Sequence, residues 1–213
     1  MPRDGSATRQ RILDAAHDLV LDQGYAGTSL DRILAASGVT KGAFFHHFTS
    51  KDAMAEALFA QYLEGDRRVF GETFERAERL TSDPLQQVLL TVGFFEEMYA
   101  HLEQPHPGCL LASMAYQNDL MTPERRRQSA ASFLMWREAI SRKLHEAEAL
   151  HRPAVPLDHD AVGDMLNVIL EGGFVMSKVL DDPGLLSRYL RVLRSHLELV
   201  FGVAAAPGRA DRA

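Results

Sequence analysis

Residues 28–51, TSLDRILAASGVTKGAFFHHFTSK, constrain this chain most, because two helix starts, a left-handed stop and a turn fall there in one register. Ser29 offers a side-chain cap to a short helix with Leu30, Ile33 and Leu34 on one face, and Gly38 supplies the left-handed residue that ends it. Thr40 then caps a second short helix, 41 to about 47, in which Phe44 falls at a core position. Two short helices joined by a turn containing glycine form a helix-turn-helix, whose second helix can lie in a DNA major groove.

The segment GVTKGAFFHHFTSK at 38–51 resembles the recognition segment of the TetR family of bacterial transcription regulators, and the resemblance runs without a gap over about residues 8–60. It implies a three-helix DNA-binding domain followed by a helical domain for effector binding and dimerisation. Phe45 is a departure: relatives more often carry Tyr there, so a hydroxyl that can bond phosphate is missing.

The remaining pattern is helical, and no period-two strand pattern occurs. Ile12, Ala15, Ala16, Leu19 and Val20 mark a first helix from Thr8 to Gly24, with residues 1–7 read as an arm. Ser50 caps a long helix whose apolar side continues past residue 70, leaving no flexible linker between the two parts. Asp83-Pro84 opens the next helix, one starts near Cys109, and Thr122-Pro123 announces another with Phe133, Leu134, Ile140 and Leu144 inward. Asp158 and Asp182-Pro183 open the last two. The expected architecture is all-α with about nine helices: DNA-binding domain 1–50, effector and dimerisation domain 51–203, and a disordered tail 204–213.

Composition narrows the function classes. The 46% apolar content suffices for a core, no apolar run approaches a membrane span, and the start lacks a signal-peptide core, so a cytoplasmic protein is expected. A net charge of −6 is unusual for a DNA binder, but residues 1–53 are balanced, with six basic and six acidic side chains, and the acidic excess lies beyond them. Specific contacts must therefore carry DNA binding.

For those contacts, position in a groove-lying helix selects Thr40 and Lys41, with Lys41 a donor to guanine O6/N7 and Ala43 a neighbour for a thymine methyl. By resemblance, Gly42 permits close approach to DNA, and Phe45, His46 and His47 flank the groove. Lys51, at a helix N-terminus, and Ser29 complete the set as phosphate contacts. The expected partner is a double-stranded, palindromic operator, bound by a homodimer, since one short helix contacts too few bases for specificity. Leu185, Leu186, Tyr189, Leu190, Leu193, Leu197 and Val200 make the last helix apolar on more than one side, so it needs a second partner. In TetR relatives that partner is the same helix pair of another subunit, which implies a dimer through residues about 158–201.

Phe95, Met98, Tyr99, Cys109, Met114, Phe133, Trp136, Met165 and Phe174 are bulky enough to line an apolar effector pocket, although each also suits plain core. Cys109, the only cysteine, follows Pro107-Gly108 at a helix start, which leaves both a reactive sensor and an inert buried thiol open. The function expected is a repressor released by an apolar, aromatic or electrophilic small molecule. Two alternatives are a helical protein-binding adaptor and a carboxylate-metal enzyme of helical-bundle type. The enzyme reading is weak, because Glu148 to His151 ends against Pro153, Glu103 to His106 contains Pro105, and residue 149 after His145-Glu146 is Ala. Adjacent His46 and His47 diverge by about 100° around a helix, so no enzyme activity, metal or cofactor is expected.

Overall fold

A computed structural model describes residues 5–116 and 121–203. Among these residues there are nine helices and no strand: α1 (Gly5–Gly27), α2 (Leu30–Ser37), α3 (Lys41–His47), α4 (Lys51–Leu80), α5 (Pro84–Tyr99), α6 (Leu110–Ala115), α7 (Pro123–Glu148), α8 (His159–Leu180) and α9 (Leu185–Val200). The all-α expectation holds. No helix among the described residues is long and apolar enough to cross a membrane. The tail expected from Ala204 lies outside the described residues.

The chain divides into two compact units, the first of residues 1–68 and 107–132, the second of 69–106 and 133–213, with divisions inside α4, between α5 and α6, and inside α7. In the first, Ile12, Leu13, Ala16 and Val20 of α1 pack into a core with Ile33, Phe44, Met54 and Leu58. Helix α1 starts at Gly5, about one turn before the expected Thr8, so residues 5–7 of the expected arm are helical, because periodicity reports the buried face and is blind to a polar turn that extends the helix into solvent. Its regular part ends at Gly24, where φ 75 leaves the helical region and the Thr28 hydroxyl donates to the freed Gly24 carbonyl (2.8 Å). Further along, Arg125 lies buried on α7 with its guanidinium 2.6 Å from Glu56 of α4, and Ser132 donates to Asp66.

The second unit packs α5 and α8 against α9. Leu85, Val88, Val92 and Phe95 of α5 meet a core completed by Trp136, Ile140, Leu144, Leu166, Leu170, Leu186, Leu190 and Leu193. The buried stripe of α7 runs through 136, 140, 144 and 147, which turns Leu134 to the opposite side; it is exposed, not inward as the sequence suggested. A Cβ at Gly163 would lie 2.8 Å from the Arg137 carbonyl oxygen, so only glycine allows α8 this approach to α7. The Arg137 fork grips Asp164 through Nε and Nη2 (2.8 and 2.6 Å) at the same crossing. Helix α9 begins two residues later than Asp182-Pro183 implied, because Asp182 Oδ1 accepts from Gly184 N (3.0 Å) and spends the pair on a turn.

Asp83 does cap α5, accepting from Leu85 N (2.9 Å) and Gln86 N (3.3 Å), and His151 Nε2 lies 2.7 Å from its other oxygen. Burial pushes this carboxyl up, but bonds from His151 and the two amides outweigh burial and hold it below its ordinary range. Asp83→Ala is expected to lower the stability of this unit by about 1–2 kcal/mol at neutral pH. Because the folded pKa lies below the unfolded value, the contribution is complete above about pH 4 and is lost as pH falls through the folded value. Urea midpoints of wild type and variant should therefore converge on acidification; a gap that persists in acid would contradict the assignment.

Candidate nucleic-acid interface

Helix α3 is seven residues long and owes its placement to its ends and to one buried ring. Thr40 accepts a hydrogen bond from Ala43 N (3.2 Å), and Phe48 N returns to the Phe44 carbonyl (2.9 Å). Phe44 is fully buried with its ring centroid 5.6 Å from that of Phe48. Helix α2 is fixed likewise: Ser29 accepts from Arg32 N (3.3 Å), and Gly38, at φ 64, directs its N–H to the Leu34 carbonyl. These local bonds set the turn between the helices, since each cap satisfies a helix end that water would otherwise have to serve.

With Phe44 anchored, the opposite face of α3 points to solvent. Lys41 and Gly42 are exposed, and no atom lies within 4 Å of where a Cβ at Gly42 would stand. Ala43 is half-buried, Phe45 is 46% exposed, His46 is exposed and His47 half-buried, the two imidazoles meeting edge to face at 5.2 Å. Thr40 and Ser29 are exposed at the two helix starts. The first unit thus presents eight of the nine predicted contact residues on or beside one helix-turn-helix.

Lys51 is held differently. Its Nζ donates to the Tyr25 carbonyl (2.8 Å) and lies 3.9 Å from the Tyr25 ring centroid, while the Tyr25 hydroxyl donates to Asp52 (2.6 Å). Burial lowers the Lys51 pKa, with the charge of Asp52 opposing it. Burial, and then the bond to Asp52, raises that of the Tyr25 phenol. This clasp joins the end of α1 to the start of α4. Sequence reasoning missed Tyr25, which stands 26 residues from Lys51 and outside any cap or periodic signal. The Arg9 guanidinium sits 5.2 Å over the Phe48 ring.

The residues predicted for an effector fall in both units. Cys109 precedes α6 and is buried without a side-chain capping bond, and Met114 is fully buried; both belong to the first unit. In the second, Trp136 stacks on Phe70 (4.4 Å) and lies 5.2 Å from Phe95, while Phe174 meets Tyr99 at 5.9 Å and stacks on His106 at 4.3 Å. Phe133 is half-buried, and Met98 and Met165 are exposed. A groove of about 340 Å³ in the same unit is lined by Leu89, Leu90, Gly93, Phe94, Glu96 and Arg194, among others.

Comparison with known proteins places this geometry. Residues 12–58 match the family described as "Bacterial regulatory proteins, tetR family", and residues 90–193 that described as "Tetracyclin repressor-like, C-terminal domain". The transcriptional regulator AcuR of Cereibacter sphaeroides is 24% identical over 193 residues, covering 91% of this chain and 86% of the relative. The HTH-type transcriptional repressor DhaR of a Mycobacterium species (strain GP1) is 23% identical, covering 87% and 89%. Among solved structures, a TetR-family regulator from Agrobacterium tumefaciens superposes with a TM-score of 0.72 at 22% identity, over 91% of this chain and 98% of that one, which is a likeness of fold. With the helix-turn-helix and the C-terminal domain both matched, the chain belongs to the TetR family of bacterial transcription regulators.

Proposed function

We propose that the chain is a cytoplasmic repressor that binds a palindromic operator as a homodimer and is released by an apolar or aromatic small molecule. One observation carries the DNA part: α3 is fixed from within by Phe44 and turns Lys41, Gly42, Phe45 and His46 outward together. In this reading the helix N-terminus faces base edges, Lys41 donates to guanine and Ala43 touches a thymine methyl. Thr40, Ser29, Phe45, His46 and His47 border the groove, and Lys51 reaches phosphate with the ammonium hydrogens that Tyr25 does not take. Residues 1–50 would form the DNA-binding domain and 51–203 the effector-binding and dimerisation domain.

Exposed apolar side chains support the dimer through about 158–201. Met165, Val168, Val175 and Val179 form a strip along α8, and Val192 and Leu199 are exposed on α9. A strip of this length on one helix favours a partner surface. By contrast, Leu186, Leu190, Leu193 and Leu197, which the sequence suggested for such a surface, are buried in the chain's own core. Within the second unit the effector is assigned to Phe95, Met98, Tyr99, Phe133, Trp136, Met165 and Phe174. The rings around Trp136 and Phe174 suit an apolar or aromatic ligand better than an ionic one.

Fluorescence anisotropy on labelled DNA flanking the chain's own gene, with a scrambled competitor, tests this reading. Saturable binding by two chains per full site, and weak binding to a half-site, is expected. Lys41→Ala should weaken it by roughly tenfold, the loss of about 1–3 kcal/mol at a base contact. Equal binding to operator and scrambled DNA, from a sequence pool selected at random as well as from the flanking region, would favour the adaptor reading instead.

A further inference from the structure

The C-terminal end of α7 and the start of α8 bring together three groups that the DNA-binding function does not use. His145 and Glu148 stand three residues apart on α7 and so share a face, and His159 is the first residue of α8. One ligand atom from each lies within 4.8 Å of the other two. The His159 Nε2 is 3.2 Å from Glu148 Oε1, and the two imidazoles meet edge to face at 5.5 Å between centroids. We propose that His145, Glu148 and His159 form a binding site for a zinc-class divalent cation.

The His159 Nε2 is buried yet has no hydrogen bond of proper alignment, although the carboxylate oxygen is near. A simple ion pair takes the in-line form seen between His151 and Asp83 at 2.7 Å. Two ligands bound at about 2.0–2.2 Å to one tetrahedral ion stand about 3.3 Å apart, which is close to the spacing here. The nitrogen and oxygen are thus placed as neighbours on the edge of a coordination shell. Two imidazoles with one carboxylate select zinc and its first-row neighbours over calcium or magnesium. His145 is exposed, so the open side of the site faces solvent and leaves a position for water. Bound metal would tie α7 to α8 across residues 149–158. The sequence alone pairs Glu148 with His151 by spacing, but the structure gives His151 to Asp83 and brings His159 to Glu148 instead.

The test is calorimetric titration of the untagged full chain with zinc near neutral pH, joined to visible absorption with cobalt, whose tetrahedral complexes absorb strongly. One zinc per chain with micromolar affinity is expected. His159→Ala and Glu148→Gln should each weaken binding by at least roughly tenfold, the least expected when even a supporting group at a metal is lost. A His46→Ala/His47→Ala double variant should bind as wild type, which separates this site from the other adjacent histidines. Circular dichroism checks the fold of each variant. Should His159→Ala lose helix, His145→Asn at its exposed position decides in its place. Absence of saturable zinc binding, or equal binding by the folded variants, overturns the proposal whatever the outcome of the operator experiment.

Discussion

Replacing Phe44 with alanine is expected to cost the first unit about 3–5 kcal/mol, the range for losing a fully buried phenylalanine. Truncation removes the ring's contacts and leaves a cavity that a seven-residue helix can fill only by moving. Isolated helices shorter than about 12–15 residues are marginal in water, so α3 has no independent means of keeping its direction. Operator binding should therefore vanish along with the lost stability. Phe45→Ala is the matched control: that ring is 46% exposed, and its removal should change stability by less than about 0.5 kcal/mol. Hydrogen exchange of amides in α1, α2 and α3 reads the effect locally, where a melting curve of a two-unit chain mixes contributions. Unchanged protection in Phe44→Ala would show that the ring does not hold the helix.

The second large effect is expected at Phe95. This ring is 1% exposed and lies 5.2 Å from Trp136, which in turn stacks on Phe70. Phe95→Ala should destabilise the second unit by about 3–5 kcal/mol. Because Trp136 is the only tryptophan, its emission reports this site without interference, and it should shift to the red as the neighbouring cavity loosens the packing around the indole. Phe94 is the comparison next door: it is half-buried, with the Arg76 guanidinium 3.8 Å over its ring, and its truncation should cost much less. Equal midpoints for Phe94→Ala and Phe95→Ala in urea, followed by Trp136 emission, would contradict the packing described.

The helix starts were legible because a cap is a bond between neighbours. Ser29, Thr40, Ser50, Asp83 and Asp158 each accept from an amide two or three residues on, as the residue types imply. Gly38 was legible for a similar reason, since the left-handed end of α2 suits a residue without a side chain. Asp182-Pro183 carries the same signal and misled by two residues, because an aspartate before proline serves a turn as readily as a helix start. Leu134 misled differently. An apolar residue near a stripe was read as part of it, whereas the line through Trp136, Ile140 and Leu144 fixes a face that excludes it.

The candidate site divides along the same line. Exposure of Lys41, Phe45 and His46 follows from the buried Phe44 and the 3.6-residue period, so the outward face of α3 could be read without coordinates. Lys51 could not be read so fully: its charge and its place at a helix start are local facts, but the Tyr25 carbonyl and ring that hold it come from 26 residues away. Likewise, spacing along the chain paired Glu148 with His151, while packing in space gave those residues to His159 and Asp83. By itself the sequence determined an all-helical chain, most of its helix ends, the helix-turn-helix and the family resemblance, because caps, turns and periodicity act within a few residues. Tertiary structure alone decided which apolar faces stay exposed and which charged groups meet, because burial and close approach depend on segments distant in the chain.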